Sequence, residues 1–123
     1  MQYLLLIHDD EQLWAGMSDE ERGSYFAEYM RFTQELIDSG TYVGGNQLHP
    51  SSATTVVRVR GGETLTTDGP FAETKEQLAG YYLVEADTLD DALEWAERIP
   101  SSRIGAIEVR PVVPSRVQAE TTG

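Results

Sequence analysis

The order of apolar runs constrains this chain more than anything else in it. Tyr3-Leu4-Leu5-Leu6-Ile7 is a continuous apolar stretch and reads as a buried strand. Ser18-Asp19-Glu20-Glu21 has the form of a capping box. Behind it Tyr25, Phe26, Tyr29, Met30, Thr33, Leu36 and Ile37 recur at helical spacing, and Gly40 supplies a stop. A long helix is therefore expected over residues 19–39, with residues 9–17 as a loop carrying Trp14. A second strand starts at Thr41, and Gly44-Gly45 suggests a bend in it. Val57 and Val59 alternate with Arg58 and Arg60 in a half-exposed strand, Gly61-Gly62 turns the chain, and residues 63–67 return as a hairpin. Residues 80–86 read as a central strand. Thr88 caps a second helix with a buried stripe of Leu89, Ala92, Leu93, Ala96 and Ile99, ended by Pro100. Residues 104–109 make a last strand.

With the hairpin set aside, the order is β-α-β followed by β-α-β. That is the α+β, ferredoxin-like split βαβ arrangement. Both helices must cover one face of the antiparallel sheet, and no third helix covers the other. Tyr, Val and Leu in the strands make that other face apolar. A second copy, sheet against sheet, is the simplest cover, so a homodimer is expected. The expected domain is residues 1–113. Residues 114–123 lack an apolar period and are expected to be a disordered tail.

A chain of 123 residues is one domain large enough to fold without staples. It has no cysteine, which excludes a disulfide framework, a thiolate nucleophile and a cysteine zinc site. A net charge of −12 opposes nucleic acid and anionic membrane as partners, since both are polyanions. No segment has the roughly 20 apolar residues of a membrane span. The first apolar run is too short for a signal peptide and has no basic residue before it. A cytoplasmic location follows as the expectation.

Asp68-Gly69-Pro70-Phe71-Ala72-Glu73-Thr74-Lys75-Glu76-Gln77-Leu78 is dense in turn formers and charges and runs into a strand, the kind of loop on which a site is built. Lys75 is the chain's one lysine. Asp68 is either a general base or a turn cap. Phe71 walls a pocket or packs in the core or dimer. Lys75 binds an anion or pairs at the surface with Glu73 and Glu76. His8, where the first strand ends beside Asp9 and Asp10, is a catalytic candidate or a structural histidine. His8, Asp9, Asp10 and His49 lack metal-ligand spacing, so no metal is expected. Neither Gly-Gly pair has the helix start and lysine of a nucleotide loop, so no cofactor is expected.

The run DGPFAETKEQLAGYYLVE, residues 68–85, resembles the signature of the DGPF branch of the YCII-related family. Further likeness lies in Tyr3 to Ile7, in Phe32 to Leu36, in Val43-Gly44-Gly45, in residues 53–58 and in Ile107-Glu108-Val109-Arg110-Pro111, so it spans residues 1 to 113. The resemblance implies a dimeric α+β barrel. A related branch pairs a histidine on the first helix with an aspartate near that helix's end. By position this chain carries Tyr29 and Asp38 there. Tyrosine, with an ordinary pKa near 10, is a poorer base at neutral pH than histidine near 6.5, so that branch's chemistry does not carry over directly. DGPF members also resemble neighbours or fusion partners of extracytoplasmic-function sigma factors.

Two functions fit. One is a small-molecule-binding protein, a lyase- or isomerase-like enzyme acting on a small aromatic or anionic compound, with His8, Tyr29, Asp38 and Asp68 in catalysis and Phe71, Glu73, Lys75 and Glu76 holding ligand. The other is a non-catalytic regulatory module linked to a sigma factor.

Overall fold

The computed structural model describes residues 1–115. Its elements run β1 (Gln2–Asp9), α1 (Glu11–Ala15), α2 (Asp19–Asp38), β2 (Tyr42–Gln47), β3 (Thr55–Arg60), β4 (Glu63–Asp68), β5 (Gln77–Glu85), α3 (Leu89–Arg98) and β6 (Ala106–Pro111). Strands β2-β5-β1-β6 form one sheet in that order, with every neighbour antiparallel. This is the split βαβ topology read from the sequence: β5 inserts between β1 and β2, the two strands that α2 connects. β3 and β4 stand apart as a two-stranded hairpin, turned by Gly61 and Gly62 at φ 58° and 80°. Two successive residues in the left-handed region are what a tight hairpin turn of this hand requires.

The capping box forms in full. Glu21 N–H donates to Ser18 Oγ at 3.1 Å, and Ser18 N–H donates to Glu21 Oε1 at 3.2 Å. Gly40, at φ 79°, carries the chain out of α2. Residues 9–17 are not all loop. Asp10 caps α1 by accepting from the amides of Gln12 and Leu13. A five-residue helix is too short to leave a periodic trace, which is why the sequence reads as loop there. β5 begins three residues before the expected Gly80, because Leu78 and Gln77 still pair with His8 and Asp9 past a bulge. β6 lies two residues later than expected, because a 3-10 turn over Pro100–Arg103 intervenes. The tail expected beyond residue 113 lies, apart from Pro114 and Ser115, outside the described residues.

Alternation along β1 sets the layers. Tyr3, Leu5, Ile7 and Asp9 are buried. The first three join Phe32 and Leu36 of α2, Ala92 and Ala96 of α3, and Tyr82 and Val84 of β5 in one core. Each large side chain sealed there contributes about 1.5–3 kcal/mol. Leu4, Leu6 and His8 point the other way. Leu4 pairs with Leu83 and Leu6 with Tyr81 across β5, and Glu108 and Arg110 flank them on β6. The run Tyr3 to Ile7 thus supplies both faces of the sheet.

The helix stripes are narrower than their spacing suggested. Of the expected α2 stripe only Leu36 is buried, Phe26, Met30 and Ile37 are exposed, and the other buried residue is Phe32, which the stripe left out. The seven expected positions, six of them apolar, span a wider arc than one sheet face can cover. On α3, Leu89 and Leu93 are likewise exposed. No described helix is long and apolar enough to cross a membrane.

Candidate functional site

The helix-side end of β1 collects polar groups that the core cannot satisfy. Asp9 continues the inward phase of Tyr3, Leu5 and Ile7, so the pleat drives a carboxylate inward where α1, α2 and the 3-10 turn meet. Its relative exposure is 6 %, and that of Ser101, on the turn, is 0 %. The Tyr29 hydroxyl, from the middle of α2, forms a hydrogen bond with the Ser101 hydroxyl. Trp14 of α1 brings its indole N–H to the same region. Both Asp9 Oδ1 and Trp14 Nε1 are buried without a hydrogen-bond partner.

Electrostatics follow from this placement. Burial pushes the Asp9 carboxyl above the ordinary carboxylate range. Ser101 and Trp14 are near enough to draw it partly back, although neither closes a well-formed hydrogen bond on Oδ1. The charge of Glu76 pushes it up again, and His8 opposes that. Tyr29 is held well above the usual phenol range, first by burial and then by the Asp9 charge, against its bond to Ser101. Gly105 completes the wall. A Cβ there would lie 2.2 Å from the His8 carbonyl oxygen and 3.1 Å from Asp9 Oδ1. Only glycine lets the chain pass so close beneath β1.

The residues expected from sequence divide into three groups. Tyr29 is in the cluster. Glu76 acts on it electrostatically, and Gln77 beside it accepts from the Glu11 backbone N–H at 3.2 Å, tying the end of the motif loop to α1. His8 sits on the opposite face of the sheet, where Nε2 meets Glu108 Oε1 at 3.1 Å. The remainder lie apart. Asp38, at the end of α2, accepts from Gln34 Nε2 at 2.9 Å. It is nine residues, roughly 14 Å of helix, from Tyr29. Asp68 ends β4 exposed, and the turn after it rests on Gly69 (φ 102°), whose N–H donates to the Thr54 carbonyl at 2.7 Å. Phe71 is 78 % exposed with the Arg58 guanidinium 5.3 Å from its ring centre. Glu73 and Lys75 are exposed, and Lys75 has no ion pair among the described residues.

Two surface clefts lie elsewhere. One, of about 180 Å³, runs between α2 and the end of α3 beside the ion pairs of Glu28 with Arg103 and Glu35 with Arg98. The other, of about 310 Å³, is an apolar hollow between α3 and β6. Both are open hollows without a buried unsatisfied group, so the Asp9 cluster is the better candidate. Among the described residues no three His, Asp or Glu side chains converge to hold a metal ion.

Sequence reasoning weighed Asp9 only as a metal ligand or as a neighbour of His8, and it left Ser101 out. One signal was present for Asp9: carrying the period-2 phase of β1 one step past Ile7 puts a carboxylate on the core side. Nothing local marked Ser101, whose role comes from the turn folding back under α2.

The YCII-related domain profile matches residues 1–116. An uncharacterised protein of Rhizobium meliloti (strain 1021) is 35 % identical over 114 residues, covering 91 % of this chain and 92 % of that protein. Among solved structures, the chain is similar to the 5-chloro-2-hydroxyhydroquinone dehydrochlorinase TftG of Burkholderia phenoliruptrix AC1100, in complex with 2,5-dihydroxybenzoquinone. The TM-score is 0.56 at 14 % identity, over 95 % of this chain and 98 % of that one. At that identity the likeness speaks for the fold.

Proposed function

The chain belongs to the YCII-related domain family, and from that premise we propose that it is a cytoplasmic homodimer that binds a small aromatic or anionic compound and carries out lyase- or isomerase-like proton transfer on it. One observation carries the reading: the buried Asp9 carboxylate stands beside a tyrosine–serine hydroxyl pair. A buried carboxylate is costly to hold, and groups pushed from their ordinary acidity cluster at functional sites. The description of TftG as a dehydrochlorinase of a hydroxylated ring supports a small ring compound by analogy of fold. The homodimer rests on the uncovered sheet face of Leu4, Leu6, Tyr81 and Leu83.

The test is a thermal-shift panel of small carboxylates and phenolates on the wild-type protein and on Tyr29→Phe, with sedimentation for the dimer. Stabilisation by a phenolate that Tyr29→Phe weakens is the expected result. A stable monomer at micromolar concentration, or no shift with any compound, sinks the corresponding half. The second reading, a regulatory module contacting a sigma factor, gains from the solvent-facing motif side chains Phe71 and Lys75, placed as surface contacts are. It would be favoured by an unresponsive ligand panel.

A further inference from the structure

We infer that the cleft between α2 and the end of α3 is an anion site for a small ring carboxylate, with Arg31 as its open cation. It is separate from the Asp9 cluster, none of whose side chains lines it. Charge marks the cleft first. The chain has nine basic residues and a net charge of −12, so its surface as a whole repels anions. Three of the nine, Arg31, Arg98 and Arg103, nonetheless line this one space of about 180 Å³. Two carboxylates, Glu28 and Glu35, stand against them, so one positive charge is left over.

The pairing decides which cation is open. Arg31 follows Glu28 by three residues and precedes Glu35 by four, on one face of α2. That spacing would let it pair within its own helix. The carboxylates instead reach across the cleft, Glu28 to Arg103 on the 3-10 turn and Glu35 to Arg98 at the end of α3. Arg31 has no ion pair among the described residues. A clasp between α2 and α3 accounts for the two cross-pairs and has no use for a third arginine.

The same pairs preorganise the other two cations. Arg98 lies over the Trp95 ring at 4.5 Å and Arg103 over the Tyr25 ring at 5.4 Å. Each donates to its glutamate through Nη2 alone. A guanidinium has five N–H donors, so both keep donors for a ligand. Cations already held in place lose little further freedom on binding. The ligand class follows from charge, shape and size. One surplus positive charge matches a monoanion, and a planar carboxylate fits the guanidinium fork. Phe32 and Pro100, both buried, give the cleft an apolar wall for a ring. Its volume of about 180 Å³ is below the roughly 300–1,000 Å³ of pockets for drug-sized ligands, so it suits a one-ring compound.

The experiment is heteronuclear NMR titration of the full chain in low-salt buffer with benzoate, its neutral counterpart benzamide, and sulfate. It is repeated on Arg31→Gln and on Arg60→Gln, which removes the same charge from the separate β3–β4 hairpin. Both arginines are exposed without an ion pair among the described residues, so both variants should fold, and their amide spectra report it. Expected is that benzoate moves the signals of Arg31, Arg98 and Arg103, that benzamide does not, and that sulfate binds more weakly. Arg31→Gln should weaken benzoate roughly tenfold, the lower end for a hydrogen bond to a charged group. Arg60→Gln should leave it within about twofold, since a distant exposed charge is screened. Equal losses in the two variants would show general attraction to charge and overturn the inference. Undiminished binding by Arg31→Gln, tighter binding of sulfate than of benzoate, or no benzoate binding also overturns it. Benzoate shifts confined to the surroundings of Asp9 and Tyr29 overturn this site and leave the proposed function standing.

Discussion

Gly105→Ala is the sharpest test of how the site is walled. The added methyl would lie 2.2 Å from the His8 carbonyl oxygen, about 1.2 Å inside the ordinary 3.4 Å contact, so something must move. The atom in the way is backbone of β1, a central strand fixed by pairing with β5 on one side and β6 on the other. It cannot yield as the end of a flexible side chain would. Overpacking in a core costs about 1–3 kcal/mol, and a backbone clash in a doubly paired strand belongs at the top of that range. About 3 kcal/mol lowers Tm by roughly 10–15 °C in a domain this size. Gly44→Ala is the internal control, because a Cβ there meets nothing within 4 Å and its φ is not positive. It should melt within a few degrees of wild type. Urea and thermal denaturation followed by circular dichroism would measure both. If Gly105→Ala melts as wild type does, β1 and the turn after Ser101 are not in the close contact on which the Asp9 site depends.

Three further outcomes follow from the same geometry. Asp9 binds its proton more tightly folded than unfolded, so its contribution favours the fold at low pH and is lost as pH rises through its raised pKa. Asp9→Asn should therefore raise Tm near neutral pH by an amount that shrinks toward about pH 4, and a gain independent of pH would contradict the burial argument. Leu36→Ala, at a fully buried position between α2 and the sheet, should cost about 2–5 kcal/mol in chemical denaturation. Lys75→Ala should change stability by less than about 0.5 kcal/mol, because the side chain is exposed with no ion pair among the described residues; a larger loss would mean that it pairs in solution.

Local chemistry written in consecutive residues made much of the fold legible. Ser18 and Glu21 bond each other across one helical turn, and Gly61-Gly62 takes up the left-handed turn without reference to the rest of the chain. The alternation of β1 and the order of strands and helices leave few sheet topologies open, and the observed β2-β5-β1-β6 order is the expected one. What such signals cannot carry is how much of an apolar stripe finds a partner. Phe26, Met30, Leu89 and Leu93 fit their helical periods and are exposed all the same, because the width of the sheet sets the limit of burial.

The site divides in the same way. The sequence by itself put Tyr29 along the apolar arc of α2, and it carried the period-2 phase that sets Asp9 on the core side of β1, although Asp9 reads as the start of a loop. Only the tertiary structure decided that they meet. Ser101 arrives between them 72 residues after Tyr29, on a turn whose position depends on α3 packing and on Gly105 passing beneath His8. The motif loop shows the converse. Its composition marked it as a site, yet Asp68, Phe71, Glu73 and Lys75 face solvent, and it is the motif's end, Glu76 to Leu78, that reaches the Asp9 end of the sheet. Turn formers and charges specify how a loop bends, whereas the direction in which its side chains point depends on contacts made by strands far away in the chain.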